Sequence, residues 1–286
     1  MPSLANAIRC LEELYDPAWA EPWDAVGLVC GNPAADVQRV LFAVDPVGVV
    51  AVEAVDWGAD LVVAHHPLFL RGVHGVPATT PKGRFVHALL TSGVALYVAH
   101  TNADIANPGV SDALARALGL TPSGPLVRTD STGEVGAPGA GRGLGRVCKL
   151  DVPESLSAFV ERVRNGLPAT TQGIRVAGDL DRVIRTVAVS GGAGDDNFDA
   201  ARAAGVDLYL TADLRHHPAS ESRENGDPIL VDVAHWSSEW PWLGEAAVLL
   251  QERLAATGDT VEIRVSRVAT DPWSALFTYS TAHSIS

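Results

Sequence analysis

Along the chain, short runs of apolar and β-branched residues alternate with longer stretches in which apolar positions recur every three or four residues. The first pattern belongs to buried strands and the second to amphipathic helices, so the alternation predicts βα units around a largely buried sheet. The strands fall at Val40 to Val44, Leu61 to Ala64, Val94 to Ala99, Arg146 to Leu150, Val183 to Val189, Leu208 to Thr211, Ile229 to Val233 and Val261 to Val265. Helices fill the gaps, at Leu4 to Tyr15, Val47 to Trp57, Gly83 to Thr91, Val110 to Leu118, Glu154 to Asn165, Asn197 to Ala204, Leu214 to Asn225 and Ser237 to Ala256. The fold class is α/β. Between Leu120 and Gly145 the period disappears and Gly, Pro, Ser and Thr dominate. That composition marks a linker or loop, and the organisation it predicts is a first α/β half (1–125), a Gly/Pro-rich loop (126–145) and a second α/β half (146–286). The tail after Arg267 keeps Trp273, Phe277 and Tyr279, enough aromatic surface to pack on the body or on a neighbouring subunit.

Composition narrows the classes. The 286 residues are 47% hydrophobic and 19% charged, within the globular range. Lys and Arg number 21 against 34 Asp and Glu, a net charge of -13, so the mean field repels phosphate backbones and anionic lipid. Nucleic acid is therefore disfavoured as a partner, and with it a nuclease or repair role, although one local pocket can still take a small anion. Cys10, Cys30 and Cys148 form no CxxC pair, which excludes a disulfide framework and a thiolate zinc site and fits a reducing, cytoplasmic compartment. The N-terminal stretch carries Glu12, Glu13 and Asp16, unlike a signal peptide, and no apolar run approaches the about 18 residues of a membrane span.

Histidine is where chemistry concentrates. In LVVAHHPLF, His65 and His66 directly follow a strand; on its own, one imidazole would more often cap the strand end while the other is solvated. VALYVAHTNADIANPG runs into His100, Thr101, Asn102 and Asp104, at the kind of carboxyl strand end where α/β proteins bind ligands, although turn chemistry alone would supply the same residues. In PILVDVAHWSSEW, His235 and Glu239 are four apart and share a face if a helix starts there, a way of presenting two ligands and also an ordinary solvated pair. LTADLRHHP repeats the strand-then-HHP arrangement with His216 and His217. With His74, seven of the nine histidines lie at or just beyond strand ends, whereas independent structural histidines would scatter. Imidazole and carboxylate without thiolate suit zinc, manganese, iron, cobalt or nickel. Five or more ligands exceed one tetrahedral ion, and two ions about 3.5–4 Å apart would polarise a water for hydrolysis. Trp23, Asp24 and Gly27, in a loop before the first strand, and Asp45, at the end of that strand, are weaker candidates, explained nearly as well by loop packing and capping. Ser190 to Phe198 reads equally as an anion cradle or a tight turn, and no GxSxG elbow supports a nucleophilic triad.

In order, EPWDAVGL, AHHPLF, HTNADIANPGVSDALA, SGGAG, TADLRHH and AHWSSE resemble the dinuclear-metal proteins known as GTP cyclohydrolase I type 2 homologues, the interacting-factor-three-like family. The resemblance implies a two-lobed α/β fold with mixed sheets flanked by helices, the first and last parts of the chain building one lobe, and metal at strand carboxyl ends between the lobes. It also implies a toroidal homohexamer. Residue by residue, it places two divalent metal ions per subunit on His65, His66, Asp104, His235 and Glu239, with Glu239 between the ions. His100, His216 and His217 stand nearby as groups for substrate or proton transfer. The chain departs from the family pattern at Ala25, Ala103 and Thr211-Ala212-Asp213, none of them among those ligands. Longer relatives insert a domain where the Gly-rich stretch near residue 130 lies. The activity implied is hydrolysis of a small nucleotide-like substrate; the other reading is a non-catalytic, metal-binding hexameric assembly or regulatory protein.

Overall fold

The computed structural model describes residues 1–129, 141–226 and 228–278. In chain order the first elements are α1 (Leu4–Leu14), β1 (Gly27–Cys30), β2 (Arg39–Ala43), α2 (Gly48–Trp57), β3 (Leu61–Ala64), α3 (Pro81–Thr91), β4 (Ala95–Val98), α4 (Thr101–Ile105) and α5 (Val110–Ala117). Then come β5 (Thr121–Arg128), β6 (Gly143–Ser155), α6 (Leu156–Gly166), β7 (Arg175–Ala177), β8 (Val183–Ala193) and α7 (Phe198–Ala203). The chain continues through β9 (Leu208–Ala212), α8 (His216–Glu224), β10 (Ile229–Val233), α9 (His235–Ala256) and β11 (Glu262–Val265).

The runs VLFA, LVVA and ALYV have no polar face, and strands of that kind need cover on both sides. They become the centre of a five-stranded sheet, ordered β1-β4-β3-β2-β11, parallel except for β1. One face packs Phe42, Val63 and Tyr97 against α1 and α9. The other packs Leu41, Val62 and Leu96 against α2 and α3. A six-stranded sheet, ordered β5-β6-β8-β9-β10-β7, holds parallel strands β8, β9 and β10 with antiparallel neighbours, and its core joins Val187, Leu210 and Val231 to α5 and α6. The fold is thus α/β with two mixed sheets flanked by helices. Strand β11 returns from the end of the chain to the first sheet, and α9 touches β2 and β11 on one side and β8 and β9 on the other.

Three strands and one helix escape the sequence pattern. β5 reads TPSGPLVR, whose two prolines and glycine mimic a loop; it lies at a sheet edge, where missing N–H donors cost no ladder bond. β5 reaches Arg128 and β6 begins at Gly143, so the two strands extend into the predicted 126–145 loop, of which 130–140 fall outside the described residues. β1 and β7 are edge strands of four and three residues, and α4 has five, too short for a period to register. No helix among the described residues is long and apolar enough to cross a membrane.

Candidate metal centre

The parallel strands of both sheets end at one place. Residues after β2, β3 and β4 approach from the first sheet, and residues at the ends of β8, β9 and β10 from the second. His65 and His66 follow β3 directly, and the backbone N–H groups of both continue the ladder onto Ala43 and Val44, which fixes the turn. His65 is fully buried, with Trp242 of α9 5.2 Å behind its ring. His100 follows β4, its ring 5.2 Å from that of His65 and 5.7 Å from that of His66. His235 opens α9, two residues before the predicted start, because Ala234 gives the helix no side-chain cap to mark it. One turn later comes Glu239, only 3% exposed.

Glu239 is the hub. Its Oε1 lies 3.0 Å from His235 Nε2 and 3.4 Å from His65 Nε2, and its Oε2 lies 3.0 Å from His66 Nε2. Asp104, at the end of α4, stands 3.8 Å from His65 Nε2. Each imidazole turns its Nδ1 outward to an acceptor: His65 to Ala99 O at 2.9 Å, His66 to Asp45 at 2.7 Å, His100 to Asp24 at 2.9 Å and His235 to Asp213 at 2.7 Å. Those bonds set the tautomer, with the proton on Nδ1 and the Nε2 lone pair inward, the arrangement that metal-binding histidines adopt. Asp45 is itself held by the Thr270 hydroxyl from the tail, so the segment after β11 reaches the site.

Electrostatics agree. Burial works against charge on Glu239, but three surrounding imidazoles overcome it and hold its carboxyl well below the usual range. Burial likewise opposes charge on His66 and His235, yet Glu239 with Asp45 and Asp213 pushes them up to about 10 and about 11. Burial raises the Asp104 carboxyl against the opposing pull of His65 and His100. The site favours a cation wherever it can find one.

A metal ion suits these residues better than protons do. His65 Nε2 and Glu239 Oε2 are buried with no hydrogen bond of proper geometry, a costly condition for protein atoms. The Nε2 atoms of His66 and His235 face each other at 3.2 Å, where two lone pairs repel if both rings are neutral and two N–H groups repel if both are protonated, and one ion bound by both nitrogens relieves either clash. His66, His235 and Glu239 form one group able to hold an ion, and His65, His66 and His100 another. Gly192 makes room for them: a Cβ there would sit 2.6 Å from Glu239 Oε1 and 3.3 Å from His235 Nε2.

The sequence candidates divide accordingly. His65, His66, His100, Asp104, His235 and Glu239 come together. His216 and His217 do not: they are exposed at the start of α8, ring against ring at 5.1 Å, with no hydrogen bond or ring contact to the cluster. His74 is exposed in the loop after β3. The anion-cradle reading of SGGAG gives way to packing, since Gly191 N–H is engaged by Ser111 Oγ, Gly192 N–H by Ser238 Oγ and Gly194 N–H by Ala212 O. Asp213 carried no sequence signal of its own. It is the one non-glycine with positive φ among the described residues, at 56°, and that turn aims its carboxylate at His235. Asp213→Asn is expected to lower affinity for a divalent ion by about 10- to 100-fold, the usual cost of losing such a support; titration against a competing chelator measures it, and an unchanged affinity would remove Asp213 from the site.

Fold and site together define an α/β protein whose two sheets gather imidazole and carboxylate into a group able to hold metal. The chain belongs to the Duf34/NIF3 (NGG1p interacting factor 3) family, whose model matches residues 2–272. It is 54% identical to a Streptomyces coelicolor protein named GTP cyclohydrolase 1 type 2 homolog, over 96% of this chain and 95% of the relative. A Mycobacterium leprae protein of the same name is 37% identical, over 95% of each. Among solved structures, a Bacillus cereus protein related to NIF3 matches with a TM-score of 0.85 and 25% identity, covering 96% of this chain and 99% of that one.

Proposed function

We propose that the cluster binds two divalent metal ions and that the protein is a metal-dependent hydrolase of a small nucleotide-like substrate, of the kind that its relatives' name, GTP cyclohydrolase 1 type 2 homolog, describes. The observation that carries this reading is the two-sided presentation of Glu239. Its Oε1 meets His235 and His65, its Oε2 meets His66, and Asp104 stands beside His65, five donors in all with Glu239 itself, more than one tetrahedral ion takes. Metal ions bound there would supply Lewis acidity and a water activated at neutral pH. The chain's own contribution is orientation. Asp45 and Asp213 hold the protons on His66 and His235 at Nδ1, so both Nε2 atoms stay available. His100, tied through Nδ1 to Asp24, keeps Nε2 as the atom that carries a proton to or from substrate beside the ions.

The assembly belonging to this reading is the homohexamer. It is supported by α2, where Val49, Val52 and Val55 are exposed on a helix apolar nearly all round, a face that asks for cover. The reducing cytoplasm is the compartment proposed, and Cys10, Cys30 and Cys148 are all unpaired.

Elemental analysis of gently purified protein, with a mass-spectrometric screen of nucleotides run with and without chelator, tests the function. About two ions per chain and a product that chelation abolishes are expected. Two ions with no product would shift the reading to a metal-binding assembly, and no metal after reconstitution would overturn it.

A further inference from the structure

Trp23 is a large apolar side chain left 56% exposed beside a buried polar site. Its ring centre lies 6.0 Å from that of His100, at an interplanar angle of 77°. Most other tryptophans here have a visible structural use. Trp240 and Trp242 donate their indole N–H to Ser266 O and Tyr15 Oη, while Trp19 and Trp57 carry the guanidinium groups of Arg142 and Arg264 at 4.3 Å. The indole N–H of Trp23 has no hydrogen-bond partner among the described residues.

The loop beneath it is tied down by hydrogen bonds. Asp24, the next residue, accepts from His100 Nδ1 with one oxygen and from Thr101 N–H and Oγ1 with the other, and the backbone N–H of Glu21 donates to Thr101 Oγ1 at 2.9 Å. Burial works against the Asp24 charge, but these hydrogen bonds from His100 and Thr101 overcome it and hold the carboxyl far below its usual range. The backbone that carries the indole is thus tied to the His100 segment before anything binds, which lowers the ordering cost of using the ring as a stacking surface.

The surroundings say what kind of group would use that surface. Asp24, Asp45, Asp104, Asp213 and Glu239 crowd the site in a chain of net charge -13, so attraction through charge is left to bound metal and the protein's own affinity must come from neutral contact. We propose that Trp23 is the wall on which a planar heteroaromatic ring of the substrate, a nucleobase or a ring of that class, packs as it enters beside His100. The inference rests on the reading of the site as one for a nucleotide-like substrate and names the part of that substrate the protein grips.

Guanosine and ribose serve as probes, bound by calorimetry to the purified full-length protein and to Trp23→Ala and Trp23→Phe, with metal content and subunit number measured on the same samples. Guanosine is expected to bind Trp23→Ala about tenfold or more weakly than wild type, while Trp23→Phe stays within about threefold, because any aromatic face stacks. Ribose, lacking the ring, is expected to bind all three alike. Equal guanosine affinity for wild type and Trp23→Ala overturns the proposal, as does a wild-type protein that does not bind guanosine. A loss in Trp23→Ala accompanied by a changed subunit number also overturns it, by making Trp23 an interface residue. Failure of the metal reading appears separately, in the elemental analysis.

Discussion

Replacing Glu239 by glutamine is expected to strip the protein of most of its bound metal, leaving no more than about a tenth of the wild-type content after dialysis, with chelator-sensitive turnover lost alongside. The side chain is 3% exposed and places its two oxygens against three imidazoles, so no other residue stands in for it. Glutamine keeps the volume that Gly192 leaves free but removes the charge that draws cations in and replaces one acceptor oxygen with an N–H that cannot ligate a metal. Because His66 and His235 hold protons tightly in the absence of metal, at about 10 and about 11, metal uptake at neutral pH must expel protons. Wild-type affinity is therefore expected to rise with pH. Elemental analysis of Glu239→Gln beside wild type, with circular dichroism to establish folding, decides the matter: a folded variant with full metal content would mean that the donors lie elsewhere.

How much of this arrangement the sequence discloses depends on range. An apolar strand followed by histidine is a local pattern, and it located His65, His66 and His100, while the four-residue spacing located His235 with Glu239. The same pattern singles out His216 and His217, which the structure sets apart from the cluster at the start of α8. After β3 the imidazoles come at the first residue beyond the strand, but after β9 three residues intervene, Asp213, Leu214 and Arg215, which carry the chain away to α8 before the pair is reached. In that segment the site group is Asp213. It announces itself only through a positive φ and a hydrogen bond to a residue 22 positions away, neither of which a sequence pattern contains. Thr270 is of the same kind, its bond to Asp45 spanning 225 positions, and Asp24 and Asp45, weaker candidates in the sequence, gain their roles only through bonds to His100 and His66 that span 76 and 21 positions. The central strands were legible because burial on both faces demands uninterrupted apolar runs. Edge strands such as β5, freed from that demand, carry proline and glycine and look like loops.

The largest expected loss of stability comes from outside the cluster, at Arg146. Its side chain is almost wholly buried in β6 and every guanidinium N–H is taken: two meet Asp112, and the others reach Gly143 O, Gly145 O and Ala106 O. Asp112 in turn accepts from Gly109 N–H at the start of α5. The pair therefore ties the second sheet to the segment joining α4, which carries Asp104, to α5, whose Ser111 holds Gly191 beside the cluster. Arg146→Met keeps the apolar stem but strands a buried carboxylate and three carbonyls, and a change of this kind costs about 3–5 kcal/mol. Arg146→Met with Asp112→Asn removes the stranded charge while leaving an oxygen for Gly109, so the double variant is expected to be more stable than the single, a coupling that a double-mutant cycle isolates. Denaturant unfolding at one protein concentration measures both. A loss below about 1 kcal/mol for Arg146→Met would show that Asp112 finds water or another donor once the guanidinium is gone. A loss of the expected size should also lower metal affinity, since Asp104 and Gly191 are held in place through the elements that Arg146 fastens.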